Sequence, residues 1–188
     1  MRVHQSFVFG AVVLIGFFML GTLRAHPASA PKQKAEALSL CTKCMTPTIF
    51  SKSGIGTARA VAKARVTYQD AKGHCEQYAM EDHPNCDKEA KETLKEEAGK
   101  IYTATADCVR GKLTDANGEN FIYAGLWPKT GNRFQDQYLA GKTRWRWGLG
   151  SDGDTGKIVG EDGPTNAFMV SATAEILCPN GVGPARKH

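Results

Sequence analysis

The segment DCVRGKLTDANGENFIYAGLW, residues 107–127, carries the clearest fold signal of this 188-residue chain. Two strand-like runs, 107–114 and 120–127, flank the tetrapeptide Asp115-Ala116-Asn117-Gly118. Asn-Gly between such runs is a strong signal for a tight turn that joins antiparallel strands. The segment therefore predicts a β-hairpin.

Three further segments toward the C-terminus also have strand patterns. KTRWRW (142–147) and GKIVG (156–160) are short, and AFMVSATAEILC (167–178) places apolar residues at every second position. Several short strands at such spacings predict a small antiparallel sheet or a partly open barrel over residues 107–179. Residues 180–188 are expected to form a flexible tail.

The preceding region, residues 31–106, is rich in Ala, Lys and Glu and predicts helices. Apolar residues between 57 and 80 recur at spacings of three and four, which is typical of an amphipathic helix. The segment EDHPN (81–85) breaks this helix and offers Asn85 as the cap of a second helix, expected from Cys86 to about Thr105. A shorter helix is expected over 34–44 and a linker over 51–56. The predicted fold class is α+β, with an N-terminal disulfide-linked helical hairpin before the antiparallel β-domain.

The N-terminus predicts export. Arg2 precedes the apolar run Ser6–Leu23, and the small residues Ala28-Ser29-Ala30 follow, as in a secretory signal peptide. Pro31 opposes cleavage after Ala30, and the apolar run is also just long enough to span a bilayer. Residues 1–30 are thus a signal peptide or an uncleaved anchor, and the chain is expected in the periplasm or outside the cell, with membrane contact only through that anchor.

Six cysteines follow the apolar run, an even number that predicts disulfides in an oxidising compartment. Cys108 opens the first predicted strand of the β-domain and Cys178 closes its last, so these two are expected to pair. For the other four cysteines the sequence leaves two arrangements open. One is nested, Cys41–Cys86 with Cys44–Cys75, and the other is sequential, Cys41–Cys44 with Cys75–Cys86.

The same four cysteines allow two functional interpretations. Cys41 and Cys44 form a Cys-x-x-Cys motif, which in another setting is redox-active. With His74, His83, Cys75 and Cys86 they also supply residue types that bind zinc, although the spacing of the second cluster is irregular. Both interpretations are weaker than structural disulfides, and neither a metal nor another cofactor is expected.

Charge and motifs exclude several functional classes. After residue 30 the chain has 22 Lys and Arg residues against 19 Asp and Glu residues, a net charge of +3 that argues against dedicated nucleic-acid binding. No signature of a catalytic nucleophile is present, and no pair of carboxylates stands out as catalytic. Residues 151–162 match a calcium loop only at Asp152 and Asp154, so a polar turn is the better interpretation. The sequence favours a protein that is not an enzyme.

The strand at 142–147 contains the best candidate binding residues. Alternation places Lys142, Arg144 and Arg146 on one face and Trp145 and Trp147 on the other. In one interpretation the tryptophans enter the core, the cations meet solvent and the arginines pair with acids on the next strand. In the other, the cations bind an anion or a tryptophan stacks on a ligand. Envelope polysaccharides, lipid headgroups and acidic protein surfaces are the expected partners of an exported protein.

The pattern ADC…FIYAGLWP…GKTRWRW…GKIVG…ILCP resembles a small C-terminal domain found in exported proteobacterial proteins of unknown function. The resemblance covers residues 106–179 and implies no activity or catalytic residue. In that family an acid follows Thr-Arg-Trp-Arg, whereas this chain has Trp147 at that position. The sequence thus predicts an exported, disulfide-stabilised binding or inhibitor-like module. The alternative is a thiol–disulfide or metal-binding factor that uses Cys41 and Cys44.

Overall fold

The computed structural model of the protein describes residues 36–41, 43–78, 85–150, 155–161 and 164–183. The predicted signal peptide or anchor (1–30), His83, the polar turn with Asp152 and Asp154, and the end of the predicted tail lie outside these residues. Within the described ranges no helix has both the length and the apolar character needed to cross a membrane.

One open antiparallel sheet of six strands dominates the fold, and each strand pairs with the next in chain order. The strands are β1 (Thr48–Ser53), β2 (Ala60–Arg65), β3 (Tyr102–Asp107), β4 (Lys112–Thr114), β5 (Asn120–Leu126) and β6 (Thr143–Trp147). The helices are α1 (Tyr68–Tyr78), α2 (Cys86–Glu96), α3 (Arg133–Leu139) and α4 (Pro164–Leu177). The predicted α+β class and antiparallel sheet are confirmed.

The turn between β4 and β5 forms where Asn-Gly predicted it. Asp115 Oδ1 accepts hydrogen bonds from the backbone N–H groups of Asn117 and Glu119, both at 2.9 Å. Gly118 takes a φ of 87°, which residues with a Cβ rarely adopt. The run 107–114 is nevertheless not one strand, because β3 ends at Asp107, whose Oδ1 accepts from the backbone N–H groups of Val109 and Arg110 in a turn.

The predicted helix over 57–80 is wrong in its first half. Ala60, Ala62 and Ala64 alternate as the buried positions of β2, and α1 begins only at Tyr68. Thr67 and Asp70 exchange hydrogen bonds, Asp70 N–H to Thr67 Oγ1 at 3.2 Å and Thr67 N–H to Asp70 Oδ2 at 2.8 Å. This reciprocal cap defines the helix start, because it satisfies two backbone donors that a helix leaves unpaired.

The remaining helix predictions of this region need similar correction. Asn85 caps α2 as expected, accepting from Lys88 N–H at 3.0 Å, but α2 ends at Glu96 and β3 follows from Tyr102. The described part of 34–44 is not helical, since Leu38 N–H donates to the carbonyl of Pro47 at 3.0 Å. Residues 51–53 of the predicted linker belong to β1. The predicted helical hairpin is therefore not supported as the architecture of residues 31–106. The region is a mixture of strands and helices, in which α1 and α2 are in contact and are joined by Cys75–Cys86.

The predicted strand over 167–178 is also wrong, because these residues form most of α4. Its buried residues recur at spacings of three and four (Ala167, Val170, Ser171, Ala174, Leu177). α4 contacts β2, β3 and β6, and its small residues allow close packing on the alanines of the sheet. The segment 156–160 forms only one bridge, between Arg146 and Ile158.

The sheet crosses the predicted domain boundary between residues 106 and 107. β3 pairs with β2 on one side and with β4 on the other, so both predicted regions share one sheet and one core. The tail prediction is also too broad, because Gly183 N–H donates to the carbonyl of Cys108 at 2.8 Å and Val182 packs against the core.

Three disulfides join the six cysteines. Cys108–Cys178 forms as expected and links the end of β3 to the end of α4. The other two bonds are sequential, Cys41–Cys44 and Cys75–Cys86, so the nested pairing is not the one adopted. Such bonds are characteristic of an oxidising location.

A tyrosine–carboxylate contact connects α2 to β3 and yields a pH prediction. Tyr102 Oη donates to Glu97 Oε2 at 2.6 Å, and this hydrogen bond, together with burial, raises the pKa of Tyr102 to about 12. The folded pKa lies above the ordinary value of about 10, so the contact stabilises the fold below pH ~10 and is lost as the pH rises toward 12. The pKa of Tyr68 is raised as well, because its hydroxyl donates to Asp87, so phenolate absorbance should show more than one tyrosine that titrates late. Glu97→Gln should move only the Tyr102 component toward 10. An unchanged titration in the variant would contradict the assignment.

Candidate binding surfaces

The two faces of the sheet differ completely in character. The inner face carries the buried alanines of β2 and β3, Leu113, Phe121 and Trp145, and α4 packs on it. The outer face carries five cations, which we call the basic face: Lys63, Arg65, Lys112, Arg144 and Arg146. Asp107 is the single acidic residue in the six strands, all of which are fully described. The sheet therefore presents a positive surface.

The strand register places some of the cations in one row across the sheet, at right angles to the strands. Lys112 pairs with Ile122, and Ile122 pairs with Arg146, so the two cations flank an isoleucine that is 44 % exposed. Two strand spacings separate their backbones by about 10 Å. Lys63 lies opposite Thr103, and Arg65 lies over the ring of Phe50, at 5.4 Å from its centroid. A flat array of this kind suits an extended ligand with repeated charges better than one small anion.

The candidate residues of 142–147 separate into different environments. Arg146 is exposed, whereas Arg144 donates to the backbone carbonyl of Ala124 (3.0 Å from Nη2) and lies 6.0 Å from the Trp127 ring centroid. Lys142 lies just before β6 and forms an ion pair with Glu175 of α4 at 2.5 Å, so it does not join Arg144 and Arg146 on the outer face as predicted. The expected pairing of the arginines with acids on the next strand is replaced, at Arg144, by this carbonyl contact.

The two tryptophans also differ. Trp145 is buried in the core, with its indole N–H donating to Thr143 Oγ1 at 2.9 Å and its ring edge against Tyr123. Trp147 is only partly buried and contacts Phe121, with the ring centroids 5.0 Å apart. Of the two, only Trp147 has surface that a ligand could reach.

A cavity of about 350 Å³ lies beside Trp147. Its walls come from four parts of the chain: the turn between β4 and β5, the ends of β5 and β6, residues 166–173 of α4, and residues 39–41. Polar side chains contribute to the lining, among them Asp115, Asn117 and Asn166, beside apolar side chains such as Met169 and Val170. Burial raises the pKa of Asp115, although the hydrogen bonds that its carboxylate accepts act in the opposite direction.

The Cys41–Cys44 ring lies between this cavity and a second one of about 450 Å³. His74 Nε2 lies 2.7 Å from the carbonyl of Lys43, and Asn117 Nδ2 donates to the carbonyl of Leu40 at 2.7 Å, so side chains on both sides hold the ring in place. Cys41 is exposed. All six cysteines are in disulfides, and among the described residues no group of three or more His, Cys, Asp or Glu side chains is arranged to hold a metal ion.

The sequence pattern alone does not single out Lys63, Arg65 and Lys112, because the segment around β2 also fits a helical spacing and β4 is only three residues long. The alternation of Ala60, Ala62 and Ala64 with Val61, Lys63 and Arg65 was the available signal. Comparisons with known proteins found no matching family model and no match among the curated proteins or the solved structures.

Proposed function

We propose that this protein is an exported, disulfide-stabilised module without enzymatic activity that binds an anionic component of the cell envelope through the basic face. The observation that carries the proposal is the charge of the outer face, where five cations stand against the single carboxylate of Asp107. The predicted leader, the three disulfides and the resemblance of residues 106–179 to exported proteins support the location.

The geometry of the face indicates the class of ligand. Cations spread over β2, β4 and β6 match a polymer or a lipid surface with repeated negative charges, because several weak exposed contacts then act together. Thr103 and Thr105 add hydroxyl groups between the cations that can donate to phosphate or carboxylate oxygens. Contacts of this kind are exposed, so binding must weaken as salt rises.

The test removes the two cations of one row. Lys112→Gln with Arg146→Gln should weaken binding to phosphatidylglycerol vesicles about thirtyfold at low salt, since each cation near an anionic lipid surface contributes about 1 kcal/mol. Sedimentation with vesicles measures this effect, and an acidic-polysaccharide resin run in parallel distinguishes a polymer ligand from a lipid. Lys91→Gln with Lys95→Gln on α2 removes the same charge elsewhere and serves as the control. Equal loss in both variants would show that net charge, not the face, is responsible.

The second candidate function is a thiol–disulfide factor that works through Cys41 and Cys44. The observation in its favour is the exposure of Cys41 in a four-residue ring beside a cavity. Against it, the ring does not lie between a strand and the start of a helix, which is the setting of thioredoxin-like sites.

A further inference from the structure

The cavity beside Trp147 is independent of the basic face, because it lies on the other side of the sheet. β6 contributes to both sites, with Arg146 pointing outward and Trp147 pointing inward. At about 350 Å³ the cavity is at the lower end of the range for small-molecule sites.

One wall of the cavity is aromatic. Trp147 and Phe121 both line it, with their rings tilted by 40°. Because one side of the Trp147 ring packs against Phe121, the partly exposed remainder of the indole is the surface that the cavity offers. An indole surface gives a flat, polarisable platform for a ligand that has an apolar face.

The rest of the lining combines polar side chains, which donate and accept hydrogen bonds, with the apolar side chains of Leu40, Met169 and Val170. Asn117 and Asn166 supply amides, Thr173 and Ser39 supply hydroxyls, and Asp115 supplies a carboxylate. Asn117 is fixed by its bond to the carbonyl of Leu40, and Asp115 is fixed by the backbone of its own turn. These two polar side chains are therefore positioned before a ligand arrives.

The charge of the lining argues against an anion as the ligand of this cavity, so the proposed ligand of the basic face does not fit here. Among the described residues that line the cavity there is no Lys, Arg or His, whereas Asp115 and Glu119 both carry carboxylates. An anion would thus be repelled. A simple cation would leave the amide and hydroxyl donors without acceptors, and unpaired polar groups weaken binding.

We propose that this cavity binds a ring of a neutral sugar, with the apolar face of the ring on Trp147 and its hydroxyl groups hydrogen-bonded to Asp115, Asn117 and Asn166. Sugar hydroxyls both donate and accept, as the polar side chains of the lining do, and the faces of a sugar ring carry C–H groups that match an indole. The second cavity adjoins this one at Ser39, Cys41 and Met169, which gives space for a neighbouring ring of an oligosaccharide.

The experiment titrates the full-length oxidised protein with four neutral trisaccharides: maltotriose, cellotriose, mannotriose and triacetylchitotriose. We expect saturable binding of at least one by calorimetry, with a change in tryptophan fluorescence. Trp147→Ala should weaken that binding about tenfold or more, in line with the contribution of one aromatic contact. Absence of binding to all four at millimolar concentration overturns the proposal.

Two further variants keep the test valid if Trp147→Ala folds poorly. Asn166 is exposed on the first turn of α4, so Asn166→Ala should leave the fold intact and still weaken binding severalfold. Gln137→Ala, an exposed amide on α3 outside the cavity, is its matched control. Equal affinity in both variants, or tighter binding of choline than of any sugar, contradicts the proposal. Lys112→Gln with Arg146→Gln should leave sugar binding unchanged, which separates this site from the basic face.

Discussion

Removing the Cys108–Cys178 disulfide is expected to lower the free energy of unfolding by about 4 kcal/mol. The bond closes a loop with a sequence separation of 70, and the entropy lost by the unfolded chain grows with loop length. Both cysteines are also buried, at 3 % and 4 % exposure, and Cys178 follows the helix that covers the inner face. Urea unfolding of Cys108→Ala with Cys178→Ala, against the oxidised parent protein, measures the loss.

The Cys41–Cys44 bond provides the matched control, because it closes a ring with a sequence separation of only 3. By the same relation Cys41→Ser with Cys44→Ser should cost about 2 kcal/mol. An equal or larger cost than for Cys108–Cys178 would contradict the loop-length argument. The variant also separates the two candidate functions, since a binding module keeps its affinity for anions, whereas a thiol–disulfide factor loses its exchange activity.

Trp145→Ala should destabilise the protein by about 4 kcal/mol, the usual cost of truncating a large aromatic residue in a core. Trp145 is 2 % exposed, contacts Tyr123 edge-to-face and donates its indole N–H to Thr143. The substitution removes these contacts and leaves a cavity beneath α4. Urea unfolding monitored by far-ultraviolet circular dichroism measures the effect without relying on tryptophan fluorescence.

The neighbouring residue on the same strand is the control for this prediction. Arg146 is exposed on the opposite face, so Arg146→Ala should change the free energy of unfolding by no more than about 0.5 kcal/mol. Similar losses for the two substitutions would mean that the assignment of inner and outer faces along β6 is wrong. That result would also contradict the assignment of Arg146 to the basic face.

The strand β6 contributes residues to the core and to each of the two proposed binding sites. Its period of two sends Trp145 into the core and Arg146 to solvent, while Trp147, at the end of the strand, is left partly uncovered beside the cavity. Binding residues on a strand that the core holds rigidly lose little conformational freedom when a ligand arrives.

Local signals in the sequence were reliable where one residue type has a specific backbone role. Asn117-Gly118 predicted the turn between β4 and β5, and Asn85 predicted the cap of α2. The Thr67-x-x-Asp70 pattern was equally local and would have placed the start of α1 correctly. Such signals hold because the interaction closes within a few residues and needs no other part of the chain.

Periodicity failed in the segments that are rich in small residues. Around β2, apolar residues fit spacings of both two and three to four, and in 167–178 almost every position tolerates burial. The choice between strand and helix in such segments depends on the surface that they meet. β2 became a strand because it pairs with β1 and β3, and α4 became a helix that covers the alanines of the sheet.

The sequence by itself determined the α+β class, the hairpin at 112–126, the pairing of Cys108 with Cys178 and the opposite directions of Trp145 and Arg146. Only the tertiary structure decided that one sheet takes strands from both predicted regions, that the other four cysteines pair sequentially, and that Lys63, Lys112 and Arg146 share a face. The first group depends on contacts within a turn, on strand alternation or on the positions of cysteines at the ends of elements. The second group depends on strand pairing between segments distant along the chain, which local sequence patterns do not encode.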